Sequence, residues 1–496
     1  MNDAAPADPA DWTPDLSHAP GPKYAAIADR LAADVRDGRL SEGAKLPPQR
    51  DLAWRLGVTV GTVTRAYQEA ERRGLIGGEV GRGTFVRPRA ARFQAMLGDP
   101  GAASATPGPG NPWAAGDPAI EDSIEGPEAG PIPLQSNVPP PASEGRLFRS
   151  TLAAMAEAPG MGDLLTYHPK NAAARFRRAG VDWLSRRGVE VLEEDLALTA
   201  GAHNGLAATF ATVLKPGQKV LAEALAYPGI KTVAKLLDLE LVPGTIDAYG
   251  LTVDAVATAA AAGRIDAVYI VPTLQNPTNA VMPEERRIEI AGLCERYEIP
   301  LIEDDICGLF PADAPRPATV HAPKMGYLVT SLSKTLAPGL RIGFVKTPHR
   351  MRDYVAASVR ASTWMASPIT AEIAARWIEG GGADAILEER RAALARRRAV
   401  ATEIFEGCDY AMPEGALHLW LTLPPHWRAS QFVAAAAAQD VMLTAAHAFT
   451  IGDAPSPGAV RVCLGGPRAE ERLVQGLTRL RRILDEQDPL AEAEVM

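Results

Sequence analysis

Apolar positions recur with a helical period near the start of the chain. In YAAIADRLAADVRDG, Tyr24, Ile27, Leu31 and Val35 fall on one face, and the pattern stops at Gly38. PPQRDLAWRLG begins on prolines, turns Leu52, Ala53 and Leu56 inward and ends at Gly57. Thr59 can then cap TVGTVTRAYQEAERRG, whose Val63, Ala66, Tyr67 and Ala70 share a face. Two short helices separated by Gly57-Val58 read as a helix-turn-helix. GLIGGEVGRGTFV adds two short strands around Gly81-Arg82-Gly83, a wing.

Further along, short apolar runs alternate with helical patterns. The runs are Lys219 to Glu223, Asp266 to Pro272, Pro300 to Glu303, Tyr327 to Leu332 and Arg341 to Lys346. Between them lie GLAATFATVL, GIKTVAKLLDL and PEERRIEIAGLCERYE. This alternation predicts an α/β fold with a mostly parallel sheet covered on both faces. Ligands of such sheets gather beyond the carboxyl ends of the strands.

Composition separates the two patterns. The first 22 residues are rich in Pro, Ala and Asp, and residues 90–135 are richer still in Gly and Pro, so neither buries enough apolar surface to order itself. The expected organisation is a disordered tail (1–20), a small helical head (21–89), a flexible linker (90–131) and a body (132–496). The body divides into a larger part, about 180–380, and a smaller part, about 385–496 with 132–175. A linker of roughly 45 residues, if coil-like, spans on the order of 35 to 40 Å.

Net charge is −9, but from Lys23 to Arg89 there are 13 Lys/Arg against 8 Asp/Glu, or +5, which leaves −14 elsewhere. Only the head has the sign that phosphates require. No apolar run approaches the ~18 to 20 residues that span a bilayer, and the acidic start MNDAAPADPADW lacks a signal region. The expected location is the cytoplasm, with nucleoid association when DNA is bound. Cys294, Cys307, Cys408 and Cys463 are dispersed without a CxxC pair or His cluster, so neither a disulfide framework nor a metal site is indicated.

The third helix exposes Thr59, Thr62, Thr64 and Arg65, with Arg50 on the preceding helix and Arg82 and Gly83 on the wing. These are residue types that phosphate and groove contacts use; a helical adaptor with a hairpin is the competing reading. Through LPPQRDLAWRLGVTVGTVTRAYQEAERRGLI and GRGTFV the head resembles the GntR family of winged helix-turn-helix regulators. The resemblance implies double-stranded operator DNA as a partner. Where that family often carries a guanine-reading arginine after the recognition-helix cap, this chain has Val60 and then Gly61; valine can touch only a thymine methyl.

In the body, each strand end offers one group. AGAHNG opens a helix whose backbone N–H groups can hold a phosphate. ALAYPG supplies an aromatic plate, Tyr227; TLQNPTN supplies Asn276; IEDD supplies Asp304 and Asp305; and YLVTSLS leads to Lys334, with Arg341 seven residues later. A lysine for a Schiff base, a carboxylate for a pyridine nitrogen, a flat ring partner and a phosphate cup are what pyridoxal 5'-phosphate needs.

AGAHNGL, EALAYPG, PTLQNPTN, IEDDI, SLSKTLAPGLRIGF and RVCLGG together resemble the fold type I, aspartate-aminotransferase-like family of PLP-dependent transferases. That resemblance implies a large domain on a mostly parallel seven-stranded sheet and a smaller α+β C-terminal domain. It implies that Lys334 carries the Schiff base, Asp304 faces the pyridinium, Tyr227 stacks on the ring and Asn276 donates to the phenolic oxygen. Ala202, His203, Ser331, Ser333 and Arg341 would hold the phosphate, and Arg461 a substrate or effector carboxylate. Where the family usually has a tyrosine two or three residues after the aspartate, this chain has Ile306 and Cys307.

Head, linker and body in this order resemble the MocR/GabR group of transcriptional regulators. The resemblance implies a homodimeric sensor of an amine, amino acid or B6 vitamer, and heads swapped onto the partner's body are one arrangement of such a dimer. The rivals are a working aminotransferase with an appended head and a PLP-free dimerisation scaffold.

Overall fold

In a computed structural model, residues 12–16, 22–36, 39–41, 43–72, 75–79, 83–86, 130–167 and 172–485 are described. They divide into two compact units, 12–86 and 130–485. No helix among the described residues is long and apolar enough to cross a membrane.

The head is built on α1 (Lys23–Arg36), α2 (Gln49–Leu56) and α3 (Val60–Arg72). Ile27 and Leu31 of α1 meet Leu52 of α2 and Val63, Ala66 and Tyr67 of α3 in one core. The turn after α2 requires a left-handed residue, and Gly57 supplies it at φ 60°. Thr59 caps α3, its Oγ1 accepting from the Thr62 N–H at 3.3 Å. The wing pairs β1 (Ile76–Glu79) with β2 (Gly83–Val86) in antiparallel register. Gly81 and Arg82 lie outside the described residues.

One expectation needs correcting. Residues 12–16 of the tail expected to be disordered pack on the head: Trp12 is buried in its core, with Leu16 against it. The indole Nε1 donates to Asp34 Oδ2 at 2.9 Å, and Asp34 also lies 2.9 Å from Arg39 and 3.4 Å from Arg30. A single aromatic with a polar edge can anchor a segment whose average composition is that of a coil.

In the body, β3 (Ile132–Pro133) precedes a seven-stranded sheet of β4 (Leu196–Thr199), β5 (Lys219–Glu223), β6 (Glu240–Gly244), β9 (Ala267–Ile270), β10 (Leu301–Asp304), β11 (Gly326–Ser331) and β12 (Gly343–Lys346). A hairpin of β7 (Ile246–Asp247) and β8 (Gly250–Leu251) sits between β6 and β9 in the chain. The spatial order is β4-β12-β11-β10-β9-β5-β6, with β12 antiparallel to both neighbours. Alternate residues serve opposite faces: Val220, Tyr269 and Ile302 pack under helix Ala202–Val213, whereas Leu221, Val268 and Leu301 pack against Val256 and Ile290. Because both faces are covered, the strands read as continuous apolar runs.

The smaller sheet has the order β13-β14-β17-β16, from β13 (Tyr410–Ala411), β14 (His418–Thr422), β16 (Thr444–Ala445) and β17 (Ala459–Cys463). β15 (Val441–Met442) pairs in parallel with β3, which brings the start of the body onto its C-terminal part. The strand expected from Arg341 begins at Gly343; Arg341 itself is left-handed at φ 51°, in the loop before it.

Trp12→Ala should cost the head about 3–5 kcal/mol, the usual result of truncating a buried large aromatic. Hydrogen exchange across Lys23–Arg36 should then report protection lost from the head.

Candidate functional site

The parallel strands β5, β9, β10 and β11 end at Glu223, Ile270, Asp304 and Ser331, and the loops that follow close around one cleft. Its walls include Asn137, Tyr227, Asn276, Asp304, Cys307 and His418. A roomier groove, lined in part by Phe176, Arg352 and Trp364, contains none of the candidate residues.

Asp304 is buried at the end of its strand. Tyr269 of the neighbouring strand donates to its Oδ2 at 3.1 Å. Oδ1 is buried without a hydrogen-bond partner. Burial pushes the carboxyl up to about 7; the Tyr269 bond opposes the shift, Asp305 adds to it, and the charge of Lys334 pulls it down. Asp305 has a different compensation, a buried pair with Arg187 whose Nε is 2.8 Å from Oδ2.

Lys334 follows β11 by three residues. Its Nζ donates to the carbonyl of Asn137. Its own carbonyl accepts from buried Arg390 at 3.2 Å, and Arg390 lies 3.3 Å from Glu144. The lysine backbone is thereby fixed while its side chain reaches the segment after β3, whose Asn137 lines the cleft.

Arg461, on β17, is buried. It donates to Asn276 Oδ1 at 2.9 Å and to the carbonyl of Gln135 at 2.9 Å, with its guanidinium 4.9 Å from the centroid of Phe449. A guanidinium only donates, so Asn276 Oδ1 is committed and its Nδ2 is left as the donor. Tyr227 enters the cleft from the start of helix Pro228–Leu236, and its ring occupies the space that a Cβ on Gly229 would need, 2.3 Å away.

The five residues expected at a phosphate converge. Ala202 and His203 open helix Ala202–Val213, whose first N–H groups lack intrahelical partners. Arg341 reaches Ser333 Oγ and the Ala200 carbonyl, each at 3.4 Å, and the Ser333 N–H lies 3.4 Å from Ser331 Oγ. Gly201 sits at φ 88°, a backbone that side chains rarely adopt, and a Cβ there would fall 2.6 Å from Arg341 Nη2. His203 is held below its ordinary pKa, first by desolvation and then by the charge of Arg341.

Ile306 and Cys307 line the cleft. Burial pushes the Cys307 thiol up to about 12, so it stays protonated. The sequence reading missed Tyr269, Arg187, Asn137 and His418. The only signals were a hydroxyl inside the apolar run AVYI and an imidazole inside ALHLW.

In the head, Arg50, Thr59 and Arg65 are exposed, and Thr62 is half-buried. Arg65 stacks over Tyr24 at 4.5 Å. Thr64 corrects the expected surface: its hydroxyl donates to Gln49 Oε1 at 2.7 Å and lies 3.0 Å from the Val60 carbonyl, tying α3 to α2. Val60 is 44% exposed at the start of α3. At Gly83 (φ 119°), a Cβ would meet the Lys45 side chain at 3.0 Å.

Residues 23–86 match the gntR family of bacterial regulatory proteins, and residues 129–477 match aminotransferase class I and II. HTH-type transcriptional regulator YdeF of Bacillus subtilis is 30% identical over 479 residues, 96% of this chain and 98% of that protein. The chain belongs to the MocR-type regulators. TauR of Rhodobacter capsulatus, another HTH-type transcriptional regulator, is 30% identical over 229 residues, 45% of this chain and 46% of its own. The MocR-type body has the aminotransferase fold. An archaeal alanine:glyoxylate aminotransferase superposes with a TM-score of 0.67 at 21% identity, covering 74% of this chain and 94% of that one. Aspartate aminotransferase from Thermus thermophilus gives 0.63 at 22%, covering 76% and 97%.

Because the folded carboxyl of Asp304 titrates at about 7 and an unfolded one near 3.8, the folded chain binds the proton more tightly. Stability of the cofactor-free regulator should fall as pH rises through that window, by on the order of 4 kcal/mol from this group. Asp304→Asn should flatten the decline, seen as a higher melting temperature than wild type at about pH 8 and a gap less than half as large near pH 5.

Proposed function

We propose that the body of this MocR-type regulator is a pyridoxal 5'-phosphate-dependent sensor of an amine, amino acid or B6 vitamer, and that the head conveys its state to operator DNA. The observation that carries the reading is Asp304 Oδ1, a buried acceptor without a hydrogen-bond partner, in a cleft whose wall residue Asn137 is held by Lys334. A buried carboxylate oxygen of this kind fits a cationic ring N–H.

The residues fit the rest of the cofactor. Lys334 Nζ would be the covalent attachment point, Asp304 Oδ1 would accept from the ring nitrogen, and Tyr227 would pack on the ring. Asn276 Nδ2, oriented by Arg461, would donate to the phenolic oxygen. The first N–H groups of helix Ala202–Val213, Ser331, Ser333 and Arg341 would hold the phosphate. When bound, pyridoxal phosphate supplies an aldehyde that condenses with primary amines and a ring that withdraws electrons. Arg461, whose Nε has no partner, offers a fixed positive charge to an effector carboxylate.

With Ile306 and a protonated Cys307 on this wall, Asn276 is the donor left to the phenolic oxygen. That supports sensing over turnover, as does the end-to-end similarity to YdeF. Assembly as a homodimer belongs to the same reading. The edge-to-face pair of Tyr167 and Trp364, 77% and 55% exposed, is apolar surface that such an assembly would cover. On the head, Arg50 and Arg65 serve phosphates, Thr59 and Thr62 flank them, and Arg82 and Gly83 belong to the wing.

Lys334→Ala should lose the visible absorption of lysine-bound cofactor and the response to effector, while basal operator binding persists in gel-shift titrations; an unchanged response sinks the sensing mechanism. Arg50→Ala and Arg65→Ala should each weaken binding to every DNA sequence and reduce the slope of log K against log salt by about one. Unaltered slopes in both would remove these residues from the interface.

A further inference from the structure

The cleft contains two side chains whose hydrogen-bonding roles are fixed by partners that can only accept. His418 opens β14, is buried, and donates Nε2–H to the carbonyl of Pro277 at 2.8 Å. Nδ1 is therefore an acceptor. Burial first, and then the charge of Arg461, hold the imidazole down to about 3, so the ring stays neutral. Asn279 donates Nδ2 to the carbonyls of Ala411 at 3.0 Å and His418 at 2.7 Å, which fixes its amide and leaves Oδ1 as a second acceptor.

Both acceptor atoms are buried without a hydrogen-bond partner, and both residues line the cleft with Asn276 and Asp304. Trp420 stands opposite Arg461 in the sheet, so His418, two residues earlier, shares the face that carries the arginine. Buried acceptors are costly until a donor reaches them. The Asp304 oxygen is accounted for by the ring nitrogen of the cofactor; these two are not.

We propose that His418 and Asn279 form a donor-reading subsite, so that the effector is an amino acid bearing, besides its amine and carboxylate, a hydroxyl or further N–H. The proposal rests on the reading of the body as a cofactor-dependent amine sensor. His418 selects among effectors, whereas Lys334 and Arg461 hold groups common to all of them. A purely structural His418 would tie the Asn276 loop to β14 and give no discrimination between isosteres.

The test uses full-length protein reconstituted with pyridoxal phosphate, its visible absorption followed during titration with L-serine against L-alanine and L-threonine against L-valine. Wild type should bind the hydroxyl-bearing member of each pair at least about tenfold more tightly. His418→Gln keeps an N–H near the Nε2 position but no acceptor at Nδ1, and should bring the ratio to about one. His418→Asn, with an acceptor near Nδ1, should retain the preference. Taking the ratio within each protein cancels changes in cofactor affinity.

A flat ratio in wild type, or an unchanged ratio in His418→Gln, overturns the subsite while a normal visible band leaves the cofactor reading intact. Absence of the band from wild type overturns both. A second readout needs neither cofactor nor effector: nitrogen NMR of histidine-labelled protein should show His418 as the neutral Nε2–H tautomer between about pH 5 and 8. A ring protonated at Nδ1 in that range also overturns the proposal.

Discussion

A carboxylate at the end of a fully buried strand is expensive to ionise, and the centre of the body is arranged around Asp304. Burial, joined by the charges of Asp305 and Glu303, raises its pKa, and the chain answers with a hydroxyl from the adjacent strand and the positive charge of Lys334 from the next strand along. The neighbouring carboxylate is neutralised separately by Arg187. This separation leaves one oxygen of Asp304 available to a ligand while Asp305 serves the scaffold. Removing Arg187 would therefore be felt first as a structural defect, with two adjacent buried charges left to one lysine.

Charge divides the chain as sharply as topology does. The acidic body builds its candidate site around Lys334 and Arg341, beside strand ends, and Arg461, within β17, while in the head Arg50 and Arg65 lie exposed. Within the head, recognition chemistry is sparse: α3 starts with an exposed valine and a glycine, and one of its threonines is committed to α2. Under the proposed function, such a helix would discriminate sequence by apolar contact and by the register that Arg65 sets on the backbone.

The sequence made the strand ends legible because strands covered on both faces are continuous apolar runs, and the chemistry begins where each run stops. The five body strands expected from pattern all occur, displaced by at most a couple of residues. Arg341 looked like the first residue of a strand because nothing local marks a left-handed arginine; the conformation follows from its reach toward Ser333 and Ala200. Tyr269, Arg187 and His418 escaped for another reason. Their partners are 35, 118 and 141 residues away in the chain, so no window of sequence contains both halves of the interaction. Trp12 shows the opposite failure, since averaging over a polar segment hid the one residue that anchors it.

The path by which the chain enters its body has a mechanical consequence. Ile132 pairs with β15, and five residues later the carbonyl of Asn137 accepts the bond from Lys334, with Gln135 already held by Arg461. At an extended rise of about 3.3 Å per residue, the contour from that lysine contact to the first strand of the body is under about 20 Å. Lys334 and Arg461 thus grip the same short segment at the start of the body. A change at either hydrogen bond therefore shifts the segment that the other holds, so Lys334 and Arg461 are coupled through the backbone between Gln135 and Asn137 and not by direct contact.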